Sequence, residues 1–140
     1  MPFQQHEQNG LVWFTADILN AIPHGFSTRL GGVSPAPWDS LNLRPNQGDG
    51  PEALRENYRR FFAVLGLDEN RAVLSQQTHT DHIRRVTEED AGKGVTRPRD
   101  YTDVDALITN VPNLPLTVFS ADCGTILLYD PVRPAVGAAH

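Results

Sequence analysis

Leu116-Thr117-Val118-Phe119-Ser120-Ala121 runs into Asp122-Cys123-Gly124, and is followed by Ile126-Leu127-Leu128-Tyr129-Asp130 and by Ala135-Val136-Gly137-Ala138-Ala139-His140. Three apolar runs of strand length, the last two separated by the turn residues Pro131 to Pro134, read as consecutive strands. The first carries the only cysteine of the chain to a strand end, and the third ends on a histidine. Upstream, Ala72-Val73-Leu74-Ser75-Gln76 reads as a further strand, and Gln77-Thr78-His79 closes it on a second histidine. One Cys and two His at the ends of buried strands have the shape of a metal or nucleophile site.

The remaining segments fill in a mixed architecture. Leu11-Val12-Trp13-Phe14 reads as a strand behind a polar tail, residues 1–10, and His24 to Arg29 as a strand running into Gly31-Gly32. Ser34 to Gly50 is rich in turn residues and reads as a long structured loop, a kind that tends to be functional. Pro51 to Leu65 is the strongest helix: Pro51 suits the first helical position, Glu52 the positive end of the dipole, and Gly66 a stop. Leu54, Tyr58, Phe61, Phe62 and Leu65 form its apolar stripe. Ile83 to Thr87 and Val104 to Thr109 read as strands, and the charged stretch Glu88 to Asp103 between them as an exposed, mobile loop. The fold class expected is α+β, a mixed β-sheet with flanking helices.

The 140 residues amount to one domain. Twelve basic against seventeen acidic residues give a net charge of -5, which disfavours nucleic acid as a partner. No run approaches the ~18 apolar residues of a membrane span, and residues 1–10 lack the apolar core of a signal peptide. A single cysteine excludes an internal disulfide. The expected location is the cytoplasm.

Taken singly, the site residues have ordinary readings. A lone cysteine is most simply a small buried hydrophobe, although Asp122 beside it and Gly124 after it favour an exposed sulfur. His79 is an ordinary loop residue by itself, and His82 and His24 are spare candidates. The spacing of His79, Cys123 and His140 matches no local zinc-finger pattern, but suits a catalytic site with three protein ligands drawn from distant strand ends.

The ordered set His24-Gly25-Phe26-Ser27-Thr28-Arg29, Gly31-Gly32-Val33-Ser34, Ser40-Leu41-Asn42-Leu43, Gly48-Asp49, Gln77-Thr78-His79, Ala121-Asp122-Cys123 and Ala138-Ala139-His140 resembles the laccase-domain family. That family was first called multicopper polyphenol oxidoreductase and later reassigned as purine nucleoside phosphorylase. The resemblance runs from His24 to His140 and implies a cysteine-hydrolase-like layered fold. It also implies a catalytic zinc bound by His79, Cys123 and His140. Family members are about twice this length, so it further implies that the chain is an N-terminal half, cut after His140, with a terminal ring that lacks the backbone beyond it to fix it. The chain departs from the pattern at Asn57-Tyr58-Arg59, where Asn-Arg is usual, and at Gly124-Thr125 after the cysteine.

The activity implied is phosphorolysis of adenosine, inosine, guanosine and methylthioadenosine, with inorganic phosphate as co-substrate and adenosine deaminase as a second activity. Arg29, Asn42 and the Gly31-Gly32 amides are candidate phosphate or ribose contacts, with Arg59 a weaker one. Their bland reading is loop architecture. The copper chemistry of the older family label fits poorly: the chain has five histidines, and its only methionine, a common axial copper ligand, is Met1. The nucleobase deaminase signature His-x-Glu with Pro-Cys-x-x-Cys is absent. Three other readings stay open: a copper-dependent polyphenol oxidase, a metal-free cysteine hydrolase using Cys123 with His79 or His140, and an inactive fragment that self-associates through exposed apolar surface.

Overall fold

The computed structural model describes residues 2–140, which divide into two compact units, one ending at Leu67 and the other Asp68–His140. Ten regular elements are named here in chain order: β1 Phe3–Gln8, β2 Leu11–Ala16, β3 Phe26–Ser27, α1 Pro51–Leu65, β4 Val73–Leu74, β5 Ile83–Arg85, β6 Ala106–Thr109, β7 Leu116–Thr117, β8 Ile126–Asp130 and β9 Ala135–Ala139. The mixed α/β composition agrees with expectation, with one α-helix among the described residues.

In the first unit β1, β2 and β3 form an antiparallel sheet in that order. The polar tail expected before β2 is in fact a strand. Asn9 and Gly10 both take positive φ, 52° and 80°, the geometry of a tight hairpin turn that returns the chain onto β2. β1 shows no apolar alternation because nearly all of its residues are exposed; His6 stacks on Trp13 with ring centroids 5.2 Å apart. The strand expected over His24 to Arg29 shrinks to Phe26–Ser27.

Helix α1 has the expected bounds. Tyr58, Phe61 and Phe62 are buried, and Gly66, at φ 69°, ends the helix in the left-handed conformation that a residue with a Cβ resists. The long loop before it is tied down by Asn57, which is fully buried. The Asn57 side chain accepts from the Val33 N–H at 2.9 Å and donates to Ser34 Oγ and to the Asn42 carbonyl, each at 2.8 Å.

The second unit holds a parallel pair, β4 with β7, and a four-stranded sheet in the order β5-β6-β9-β8. β5 and β6 are parallel, whereas β9 is antiparallel to both β6 and β8. The inner face packs on a core of Val73, Val86, Val104, Leu107 and Leu114. Each such side chain contributes about 1.5–3 kcal/mol by leaving water.

Two expectations are corrected here. Glu88 to Asp103 is not an exposed loop throughout. Asp90 and Lys93 within it are 3% and 8% exposed, because opposite charges pair there: Asp90 accepts from Lys93 at 2.7 Å, from Arg84 at 2.9 Å and from the Thr87 N–H at 2.9 Å. The run from Leu116 to Cys123 is not one buried strand either. Its ladder stops at Thr117, and Cys123 sits exposed in the loop before β8. β8, which has the expected strand length, is an edge strand whose Ile126 and Leu128 are 59% and 56% exposed.

Candidate metal centre

The register of β6 with β9 builds one side of the site. Ala106 lies opposite Ala139, so the residue before β6, Asp105, meets the residue after β9, His140. The His140 N–H donates to the Asp105 carbonyl at 2.8 Å, and His140 Nδ1 lies 2.8 Å from Asp105 Oδ2. The residue whose ring was expected to be loose is therefore held once through its backbone and once through the ring, and its side chain is 8% exposed.

The second arm comes from the turn after β4. Gln76 bridges to Val104, and the chain then curls around the same carboxylate. Thr78 and Thr80 donate their N–H groups to Asp105 Oδ1 at 2.8 and 3.1 Å, and His79 donates its own to Oδ2 at 3.0 Å. His79 takes φ 64°, a left-handed conformation uncommon for a residue other than glycine; the anchored amides on either side hold it there. Burial opposes ionisation of Asp105, yet the N–H of Thr78, the His140 ring and the N–H groups of Thr80 and His79 outweigh it and hold the carboxyl well below its usual range.

The third arm is braced by Gln77. Its Nε2 donates to the Phe119 carbonyl and its Oε1 accepts from the Phe119 N–H, both at 2.7 Å. This ties the His79 turn to the loop that carries Cys123. Ser120 Oγ donates to the Cys123 carbonyl and tightens the same loop.

As a result His79, Cys123 and His140 converge: one ligand atom from each lies within 4.8 Å of the others. Cys123 Sγ is 3.8 Å from His79 Nε2, and the two imidazoles meet edge to face with centroids 5.0 Å apart. A tetrahedral ion with Zn–S near 2.3 Å and Zn–N near 2.05 Å would set sulfur and nitrogen about 3.6 Å apart. The donor set thus fits a soft-to-borderline divalent ion with a fourth position left for a small ligand.

The other residues singled out in the sequence lie elsewhere. His82 Nδ1 contacts the Asp103 carbonyl at 3.0 Å and stands outside the trio. His24 is a packing residue of the first unit: its Nε2 accepts from the Ala16 N–H at 2.8 Å and its Nδ1 faces the Ile22 carbonyl at 3.0 Å. Arg29 clasps Asp39 through its carbonyl and carboxylate at 3.0 and 2.7 Å while remaining largely exposed. Asn42 donates to Asp49 at 2.9 Å and accepts from the Arg44 N–H at 3.1 Å. Arg59 pairs with Glu56 on the helix surface at 2.7 Å. A Cβ on Gly31 or Gly32 would strike the backbone of Leu11 or of Ser40 and Leu41, so the glycine pair serves close packing. Asp105 is the position that the sequence reading missed, and Gln77 was read only as part of a motif; the available signal for Asp105 was an acidic residue opening the apolar strand Ala106–Thr109.

A mixed sheet and the loops beside it that gather two histidines and a cysteine define a candidate metal-binding α/β protein. The chain belongs to the multi-copper polyphenol oxidoreductase laccase family, whose sequence pattern matches residues 23–140. It is 40% identical over 126 residues to the purine nucleoside phosphorylase ORF3 of Streptomyces griseus, covering 90% of this chain and 49% of that protein. It is 37% identical to the purine nucleoside phosphorylase Rv2149c of Mycobacterium tuberculosis, with 90% and 48% covered. Among solved structures, the hypothetical protein YfiH of Bacillus licheniformis superposes with a TM-score of 0.87 at 34% identity, and YlmD of Geobacillus stearothermophilus with 0.76 at 29%. Each match covers 99% of this chain and 51% of the other. The chain therefore spans about half the length of the relatives it matches. No helix among the described residues is long and apolar enough to cross a membrane.

Proposed function

We propose that these 140 residues form about half of a zinc-dependent purine nucleoside phosphorylase. The observation that carries this reading is the convergence of His79, Cys123 and His140 within 4.8 Å. The names of the relatives at 37–40% identity support the reaction class. In this reading His79 Nε2, Cys123 Sγ and the His140 ring nitrogen not facing Asp105 hold the ion. When bound, it supplies Lewis acidity and lowers the pKa of a water or substrate oxygen toward neutrality.

The reaction proposed is attack of a phosphate oxygen on the anomeric carbon of a purine nucleoside. The bond from that carbon to the base nitrogen breaks, its electron pair and a proton go to the base, and ribose 1-phosphate is released. Adenosine, inosine, guanosine and methylthioadenosine are the proposed substrates. Arg29 and Asn42 are the proposed phosphate or ribose contacts, and Arg59 the weaker one. Adenosine deamination is the proposed side activity, in which an activated water would add at C6 of the purine and the amino group would leave as ammonia.

The protein should release free base and ribose 1-phosphate from inosine plus inorganic phosphate, and Cys123→Ala should abolish the release. Neither product appearing from the complete protein would sink the proposal. The 3.8 Å approach of Cys123 Sγ to His79 Nε2 also favours a second reading, a metal-free thiol hydrolase with His79 as base. Full activity in the presence of a strong chelator, together with rapid alkylation of Cys123, would select that reading.

A further inference from the structure

Five hydrogen bonds converge on one buried carboxylate. Asp105, 2% exposed, accepts at Oδ1 from the N–H groups of Thr78 and Thr80 and from Thr80 Oγ1 at 3.3 Å. At Oδ2 it accepts from the His79 N–H and faces His140 Nδ1. A carboxylate is the one side-chain group that accepts at both of its ends. An acceptor at Oδ2 is met by a proton on His140 Nδ1, and in the neutral ring that leaves Nε2 with a free lone pair. The same oxygens close the turn that keeps His79 at positive φ.

We propose that Asp105 is the positioning residue of the site, fixing the Nδ1–H tautomer of His140 and the backbone curl of His79 so that both rings present a lone pair toward Cys123. This rests on the metal-site reading of the trio but not on nucleoside chemistry. A hydrogen-bonding carboxylate behind a ligand histidine is a recurrent device for setting ring orientation, and its loss typically weakens metal binding 10–100-fold. Asp105 would act on two ligands at once, one through its side chain and one through its backbone.

The decisive substitution is Asp105→Asn, which keeps the shape and removes acceptor capacity at one end. With the amide oxygen still serving Thr78 and Thr80, the NH2 group confronts the His79 N–H and His140 Nδ1. The imidazole must then accept at Nδ1 and move its proton to Nε2, the atom needed for the metal. In long-range 1H–15N spectra of the metal-free chain, wild-type His140 should show the Nδ1–H pattern and Asp105→Asn the Nε2–H pattern. Zn²⁺ affinity, measured by competition with a chromogenic chelator, should fall about 10–100-fold in the variant. An Nε2–H tautomer for His140 in the wild-type chain overturns the proposal without need of any variant. A folded Asp105→Asn chain that binds Zn²⁺ as tightly as wild type overturns it as well. A wild-type chain with the Nδ1–H tautomer that binds no Zn²⁺ would sink the metal-site reading and, with it, the role assigned here; a wrong tautomer in a chain that does bind Zn²⁺ would sink the positioning role alone.

Discussion

Replacing Asn57 with alanine should loosen the long loop of the first unit, including the backbone of Asn42, to which its side chain donates. Asn57 is fully buried, and three bonds at 2.8–2.9 Å link it to Val33, Ser34 and Asn42, with a fourth, longer one to the Ser40 carbonyl at 3.3 Å. Each short bond contributes a net of about 1 kcal/mol, and a buried N–H or carbonyl stripped of its partner costs about 1–3 kcal/mol. The loss should therefore be about 3–5 kcal/mol, a large share of a small domain's stability. Asn57→Asp is the sharper companion: it turns the NH2 donor into an acceptor facing Ser34 Oγ and two carbonyls, and should destabilise as much or more. Urea unfolding followed by circular dichroism and by Trp13 and Trp38 fluorescence reads both. Glu56→Ala, next to it on the exposed side of α1, is the control and should change little. A loss below about 1 kcal/mol for Asn57→Ala would show that this loop is not organised by the buried amide, and would refute the reasoning.

Three more outcomes follow. Burial opposes ionisation at Asp90, but Lys93, Arg84 and the Thr87 N–H hold its pKa at about 2. A carboxyl depressed in the folded state adds stability above its unfolded pKa near 4 and loses it as pH falls toward 2, here about 2 kcal/mol. Asp90→Asn should thus be less stable than wild type at pH 7, and the gap between their melting curves should narrow below about pH 4 and close only as the pH approaches 2; a gap independent of pH contradicts the pairing. The outer face of the four-stranded sheet carries Ile83 and Ile108 on neighbouring strands and Ile126 and Leu128 on β8, across β9 from them, each 42–64% exposed. This chain alone should self-associate through that face in light scattering, and the pair Ile126→Lys with Leu128→Lys should shift it toward monomer; a wild-type monomer at high concentration removes the basis for this. Gly94 sits at φ 101°, where a Cβ would lie 2.7–2.9 Å from Leu74, so Gly94→Ala should lower the melting temperature by several degrees, and an unchanged melt would contradict it.

The helix was legible because every local signal agreed: Pro51 at the start, an apolar stripe, Gly66 at the stop. β1 was not, because its residues face water and give no period; only the Asn9-Gly10 dipeptide marked it. The three ligands were legible as residue types, and the family resemblance grouped them, but only His140 stands at a strand end; His79 and Cys123 lie in the turns beyond β4 and β7. Their geometry was not, since it depends on the β6–β9 register that sets His140 beside Asp105, and register is a property of pairing rather than of either strand. Asp105 reads in sequence as an acid at a strand edge, and only the curl of Thr78 to Thr80 around it shows what it holds. The charges of Glu88 to Asp103 likewise suggested solvent, because a sequence shows charges but not that Asp90 and Lys93 neutralise one another. Exposure of β8 was illegible for the opposite reason: an apolar strand looks the same whether or not a neighbour covers it.

The most direct test of the central claim is metal analysis of the purified chain beside Cys123→Ala and His79→Ala. The account predicts close to one zinc per wild-type chain and loss of most of it in both variants. A wild-type chain free of metal after exposure to zinc, or a Cys123→Ala chain that retains it in full, would contradict the account.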